Sequence, residues 1–246
     1  MFDTYAQIFE KRAAEYHHAM GQCPKARDAE FLAVVEPLRD ALTGLVCDMP
    51  SGGGYLADYL WNGLKYLAVD PAPDFFVGWS KPHQRLQAEI TDVPLTEQSV
   101  DYIVSLAGLH HEPSLPCVFA EMRRLLVTGG RVVIADVAVD TPPARFLNGF
   151  VAEHCPLGHD GRFLDGQTAP ALEAAGFQVA MDTMVEVPWS FESLDEAGDF
   201  CRNLFGMTSL NIDETADAMG REIGFDLANG VPRLRWMLRR IVADAI

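Results

Sequence analysis

Short apolar runs punctuate the middle of the chain at regular intervals. Leu45-Val46-Cys47, Tyr66-Leu67-Ala68-Val69, Tyr102-Ile103-Val104-Ser105-Leu106 and Arg131–Val137 each read as a buried strand, and Arg85–Glu89 as a weaker one. Between them, Tyr55–Trp61 and residues 115–127 have helical spacing, the second stopped by Gly129-Gly130. Apolar strands joined through helices predict a mostly parallel sheet covered on both faces. Later, Gln167–Ala175 predicts a helix closed by Gly176, Phe177–Val187 a long strand, and Val231–Val242 a final strand. The segment 190–230 between those two strands carries two helical patterns, and an insertion of that size beside a sheet is expected to cover a site. At the start, Tyr5, Ile8, Phe9, Arg12, Tyr16 and Met20 recur at helical spacing over residues 3–20, ended by Gly21, with a second helix near 25–40.

The chain has 246 residues, 49% of them apolar, which supports one sizeable α/β core. Asp and Glu number 35 against 19 Lys and Arg, a net charge of −16. That field repels phosphate backbones and anionic lipid, so neither nucleic acid nor a membrane surface is an expected partner. Arg233, Arg235, Arg239 and Arg240 fit a solvated face rather than a nucleic-acid groove. The five cysteines have no CxxC pair, and reduced thiols in a cytoplasmic protein are expected. No apolar run has the length of a membrane span, and Met1-Phe2-Asp3-Thr4 has no signal-peptide character.

The strongest local signal is a strand, then Asp48-Met49-Pro50-Ser51-Gly52-Gly53-Gly54, then a helical pattern. Glycines let a backbone turn sharply and approach a ligand closely, and a following helix start offers free N–H groups. Asp70 ends the next strand, where a carboxylate accepts hydrogen bonds from ribose hydroxyls. Two ligands fit. Gly52-x-Gly54-x-x-Ala57 matches the dinucleotide fingerprint, which would make an NAD(P)-dependent oxidoreductase. Asp48, directly before the loop, instead suits a ligand carrying an ammonium group.

The order of later segments favours the second ligand. Asp48, Gly52 and Gly54 resemble the acidic, glycine-rich first loop of class I S-adenosylmethionine-dependent methyltransferases of the small-molecule type, with Pro50 in place of the first glycine. Glu89-Ile90-Thr91-Asp92-Val93-Pro94-Leu95 is similar to the family's adenine-side segment, and Leu106 followed by Leu109-His110-His111 to the end of its fourth strand. Gly129-Gly130-Arg131 and Leu172–Phe177 resemble its turns before the fifth and sixth strands. The resemblance implies a Rossmann-like seven-stranded sheet, mostly parallel with the last strand antiparallel. Helices cover both faces and a helical cap is added. It makes the chain one domain: cap helices over 1–43, core sheet over 44–189 and 231–246, and a helical insertion over 190–230. S-adenosylmethionine would be the cofactor and a small molecule the methyl acceptor. Asp48 would face its methionine ammonium, Pro50, Gly52, Gly54 and Leu106 would shape the pocket, Asp70 would hold the ribose, and Glu89 and Ile90 the adenine. The sequence leaves the oligomeric state open, a homodimer included.

Methyl transfer is an in-line displacement at a sulfonium carbon, so alignment and exclusion of water matter more than acid–base chemistry. A base is needed only where the acceptor keeps its proton at neutral pH. His110 and His111, at the ligand-binding edge of the sheet, are the candidates for that role or for orienting the acceptor; structural packing is the plain alternative. His154-Cys155 and His159 have no zinc spacing and read as loop residues, so no metal is expected. Tyr5 and Tyr16 are placed to close over the cofactor. A protein that binds the cofactor without turnover is the non-enzymatic alternative, kept open by Pro50.

Overall fold

The computed structural model describes residues 5–78, 82–228 and 230–246; the first two residues of the predicted first helix, 3 and 4, lie outside them. Strands β1 (Gly44–Asp48), β2 (Leu64–Asp70), β3 (Gln84–Gln87), β4 (Val100–Leu106), β5 (Leu126–Asp136), β6 (Phe177–Glu186) and β10 (Met237–Ala245) form one sheet in the order β3-β2-β1-β4-β5-β10-β6. β1 to β5 pair in parallel, and β10 runs against both of its neighbours. This is the expected sheet, with its single reversed strand. Because β1, β2, β4 and β5 run the same way, their C-terminal residues Asp48, Asp70, Leu106 and Asp136 all reach one edge. Ligands bind at that edge in open α/β sheets.

One face of the sheet is covered by α3 (Leu115–Leu125) and α6 (Thr168–Ala174), packed through Val118, Phe119, Met122, Leu172 and Phe177. The other face is covered by α2 (Asp28–Val35) and by residues from 187 to 236. Tyr55–Tyr59 forms only a 3-10 turn, not a helix, and β2 to β3 also passes through a 3-10 turn, Pro73–Phe76. With β2 restarting at Leu64, the glycine loop leaves too little chain for a helix of full length. The N-terminal helices supply the missing layer. Phe31 of α2 stacks on Tyr59 with ring centres 4.7 Å apart, Tyr59 donates to Asp28 at 2.5 Å, and Trp61 donates to the carbonyl of Ala41. α1 (Tyr5–Gln22) packs on the Pro73–Phe76 turn and on α7 (Leu194–Phe205).

Gly129-Gly130 do not stop a helix. α3 already ends at Leu125, and both glycines lie within β5, where the register with β4 shifts. Val231–Val242 is not one strand either. It splits into β9 (Val231–Leu234), which pairs with β7 (Trp189–Ser190) and β8 (Phe225–Ala228), and β10 of the main sheet. Buried Trp236 sits at the bend. The cap is therefore not purely helical: a three-stranded sheet joins α7 and α8 (Ile212–Glu222). The segment after β5 is helical too, with α4 (Pro142–Arg145), a π-helical turn (Phe146–Val151) and α5 (Ala152–His154). Of the C-terminal arginines, Arg235 pairs with Asp226, Arg239 with Asp182 and Arg240 with Glu36.

Candidate functional site

The glycine loop is stitched between its neighbouring strands. Met49 N–H donates to the carbonyl of Val104 at 2.9 Å and Ser51 N–H to that of Val69 at 2.9 Å. Pro50 follows a cis peptide bond, and its ring lies against Gly108, where any Cβ would meet Pro50 Cγ at 2.4 Å. Gly52 (φ 54) and Gly54 (φ 67) take left-handed conformations that favour glycine.

Both expected carboxylates lie at this loop and both are buried. Asp48 accepts from the Tyr66 hydroxyl at 2.6 Å. Asp70 accepts from Gly52 N–H at 2.7 Å and Tyr5 O–H at 3.2 Å on one oxygen, and from Ala72 N–H at 2.9 Å on the other. Burial disfavours the charged form of each, and each is pushed up to about 7. Tyr66 opposes the shift at Asp48, and the hydrogen bonds from Ala72, Gly52 and Tyr5 oppose it at Asp70.

Aromatic residues of α1 cover this end. Tyr5, Phe9 and Phe75 pack with ring centres 4.7 to 6.4 Å apart, and Tyr16 packs edge-on to Phe9 and Phe75. His17 bonds Tyr55 at 2.6 Å. The cavity left beside Asp48, Pro50, Gly52 and Leu106 has a volume of about 50 Å3. Sites for ligands of nucleoside size run to about 300–1,000 Å3. A ligand of that size does not fit the cavity while α1 lies over it. Glu89 does not join this cavity; it is exposed on a larger cleft of about 750 Å3 shared with His110, His111 and His159. Ile90 packs in the core with Val93 and Leu109 and lines no cavity described here.

The second half of the site lies beyond β4 and β5. Ala107, with φ 51, bends the chain out of β4 into a short turn carrying His110 and His111. His110 is buried, and its Nδ1 bonds Asp136 Oδ1 at 2.7 Å. His159 is not a plain loop residue as its spacing implied. Its ring centre lies 5.5 Å from that of His110 and 5.3 Å from that of His111. Burial and the neighbouring His110 hold His111 well below the usual imidazole range and bring His159 down to about 3. A third cavity, of about 80 Å3, lies between these rings and the cap, walled by Phe9, Trp189, Phe205 and Trp236. Arg12 Nε, Glu30 Oε1 and Trp189 Nε1 are buried without a well-aligned hydrogen bond, and all three residues line it. Trp189, Leu204 and Phe205 thus serve as cavity wall, while Phe191 and Phe200 are core. Sequence reasoning missed Asp136, Tyr66 and the buried Arg27–Glu30 pair, 2.5 Å apart. An acidic residue closing an apolar strand was the available signal for Asp136.

A seven-stranded sheet of this order, with two carboxylates framing a glycine loop, defines the Rossmann-like fold of class I methyltransferases. Residues 47–134 match the family model described as methyltransferase domain. A Thermotoga maritima S-adenosylmethionine-dependent methyltransferase, described as a possible histamine N-methyltransferase, is 15% identical over 98% of this chain and 99% of its own, with a TM-score of 0.64. A Burkholderia thailandensis 1,6-didemethyltoxoflavin-N1-methyltransferase with bound S-adenosylhomocysteine is 16% identical over 94% of this chain and 84% of its own, TM-score 0.55. The (4+2)-cyclase SpnF is 13% identical over 99% of this chain and 97% of its own, TM-score 0.67. No curated protein sequence matches the chain.

Proposed function

We propose that this protein transfers the methyl group of S-adenosylmethionine to a small acceptor seated between the cap and the sheet edge. The observation that carries the reading is the pair of buried carboxylates, Asp48 and Asp70, ending adjacent parallel strands on either side of the glycine loop. Asp48 pairs with the methionine ammonium, and Asp70 takes the ribose hydroxyls once Tyr5 withdraws. Pro50, Gly52, Gly54 and Leu106 shape the methionine end, Glu89 meets the adenine rim, and Ile90 backs the wall from the core. The reversed β10 between β5 and β6 argues against the oxidoreductase alternative, whose usual sheet is parallel throughout.

The walls of the third cavity select the acceptor. Phe9, Trp189, Phe205 and Trp236 offer ring faces, and Arg12 and Glu30 offer polar side chains. A small, partly aromatic molecule with hydrogen-bonding groups satisfies both. His110, backed by Asp136, and His111 face the acceptor and orient it for in-line attack. The five unpaired thiols fit a reducing, cytoplasmic setting. Among the described residues no helix is long and apolar enough to cross a membrane.

Calorimetry with S-adenosylmethionine, S-adenosylhomocysteine and NAD tests the reading, followed by mass-spectrometric detection of transferred labelled methyl on an acceptor panel. Binding of both adenosyl ligands and a methylated product are expected. Binding of NAD and neither adenosyl ligand sinks it. The closed Tyr5–Asp70 contact favours one second reading, a cofactor-binding protein without turnover. Tight S-adenosylhomocysteine binding with no methylated product is its signature.

A further inference from the structure

We infer that His110, His111 and His159 form a binding site for a divalent transition-metal ion of the zinc type, with an open coordination position toward the acceptor. One ring nitrogen from each residue lies within 4.8 Å of the other two. Three imidazoles on one tetrahedral ion, at metal–nitrogen distances of 2.0–2.1 Å, have ligand nitrogens about 3.3 Å apart. The rings must close by little more than an ångström, and two of them stand on short loops. His111 follows β4, and His159 lies between Gly158 and Gly161.

The partners behind the rings decide which nitrogen is free. Asn148 Nδ2 donates to the carbonyl of Gly161 at 2.8 Å, while Gly161 N–H donates to Asn148 Oδ1 at 2.7 Å. Those two bonds fix the amide, so Oδ1 is an acceptor and the His159 Nδ1, 2.8 Å away, carries the proton. Asp136 accepts from Val137 N–H and from His110 N–H as well as from His110 Nδ1. Both His110 and His159 therefore keep Nε2 as the nitrogen with a lone pair. No hydrogen bond to the His111 ring is present among the described residues. An outer carboxylate or amide behind a histidine is the usual support of a metal ligand. Asn148 sits on the π-helical turn Phe146–Val151, a distortion that recurs at functional sites.

The electrostatics are mixed but admit a cation. The charge of Arg12 is felt at His111 and His159 and opposes one. Asp136 touches the cluster and favours one, and Glu89, Glu112 and Asp160 line the same cleft. Neutral imidazoles suit zinc, copper, iron and nickel ions. Three histidines with a fourth position free is the arrangement of catalytic rather than structural zinc. The histidines wall both the large cleft and the aromatic cavity, so an ion enters from the cleft and meets an acceptor oxygen or nitrogen. The site stands on the geometry alone; its role in holding the acceptor rests on the methyl-transfer reading above.

The test is Zn2+ binding to chelator-stripped full-length protein, by equilibrium dialysis and calorimetry without cofactor. One ion per chain is expected, and Co2+ should give the visible bands of a low-coordinate nitrogen-ligated ion. His111→Ala and His159→Ala should abolish stoichiometric binding. Asn148→Ala, which keeps all three ligands, should weaken it by about 10–100-fold. His154→Ala, whose ring bonds Ser209 outside the cluster, should bind as the parent does. Thermal unfolding of each variant separates lost binding from lost fold. Millimolar affinity in the parent, or unchanged stoichiometry in a folded His111→Ala, overturns the inference. A stripped protein that still methylates and binds no Zn2+ sinks this site alone. One that binds Zn2+ and never turns over S-adenosylmethionine sinks the methyl-transfer reading alone.

Discussion

The edge of the sheet above β1 and β2 is shut, and the edge above β4 and β5 is open. At the first, Tyr5, Phe9, Tyr16 and Phe75 leave about 50 Å3 beside Asp48. At the second, three imidazoles border a cleft of about 750 Å3. Yet both ends share an electrostatic state. Burial keeps Asp48 and Asp70 protonated up to about 7, and burial also keeps His159 unprotonated down to about 3. The difference is in what each end can receive. Carboxylates that lose a proton welcome an ammonium, and imidazoles with free lone pairs welcome an electrophile or a proton.

The largest effect should come from the residue pair that joins the two ends. Arg27 lines both the cavity beside Asp48 and the aromatic cavity under the cap, pairs with Glu30 and donates to the Tyr16 hydroxyl at 2.6 Å. Its guanidinium also lies 5.4 Å from the Trp189 ring centre. Glu30→Ala leaves that cation buried and unpaired, and should cost about 3–5 kcal/mol in urea unfolding. Replacing both partners together, Arg27→Met with Glu30→Leu, should cost far less, because no charge is left stranded. Equal losses in the two variants would mean that packing, not charge, holds the ends together.

The second effect tests the shut end through pH. In the proposed binding mode Asp48 must be ionised to pair with the cofactor ammonium, and in the empty protein burial pushes its pKa up to about 7. Binding then releases a proton below that pH. Affinity for S-adenosylmethionine should fall by up to about tenfold per pH unit below 7 and level off above it. Calorimetry in buffers of different ionisation enthalpy measures the released proton directly. Asp48→Asn should weaken binding by about 1.5–3 kcal/mol at pH 8, the worth of a charged hydrogen bond, and flatten the pH dependence. Asp70 titrates in the same range, so a residual slope in that variant reports on its release from Tyr5.

How much of this was legible in the sequence differs between the same two ends. The strands were readable because the central residues of β1, β2, β4 and β5 are buried and form short apolar runs. The edge carboxylates Asp48 and Asp70 followed from strand ends alone. The missing helix at Tyr55–Tyr59 was not legible, since its spacing is helical and only the short connection to β2 prevents it. The break at Trp236 was hidden for a similar reason: an apolar run reads the same whether it pairs with one sheet or two. The histidine cluster was the least readable part. His159 lies 48 positions after His111, and only the loop pinned by Asn148 and the carbonyl of His110 brings it back. Long-range closure of this sort leaves no periodic trace.

The smallest effect addresses the closure itself. Tyr5 donates to the same Asp70 oxygen that Gly52 uses, at 3.2 Å against 2.7 Å for the backbone bond. In the proposed binding mode the phenol stands where a ribose hydroxyl binds, and so competes with the cofactor. Tyr5→Phe keeps the ring, and with it the packing on Phe9 and Phe75, while removing the hydrogen bond. A hydrogen bond of this kind is worth about 1 kcal/mol, so cofactor affinity should rise roughly fivefold. The gain should be carried mainly by faster association, because the opening of α1 becomes easier while contacts in the complex stay the same. A fall in affinity would mean instead that Tyr5 touches the bound cofactor, and that α1 is a part of the pocket rather than a stopper over it. Stopped-flow quenching of Trp61, whose indole is tied to Ala41 near α2, offers one readout. The direct measure is hydrogen exchange along α1, which should accelerate in Tyr5→Phe before cofactor is added and slow again once it binds.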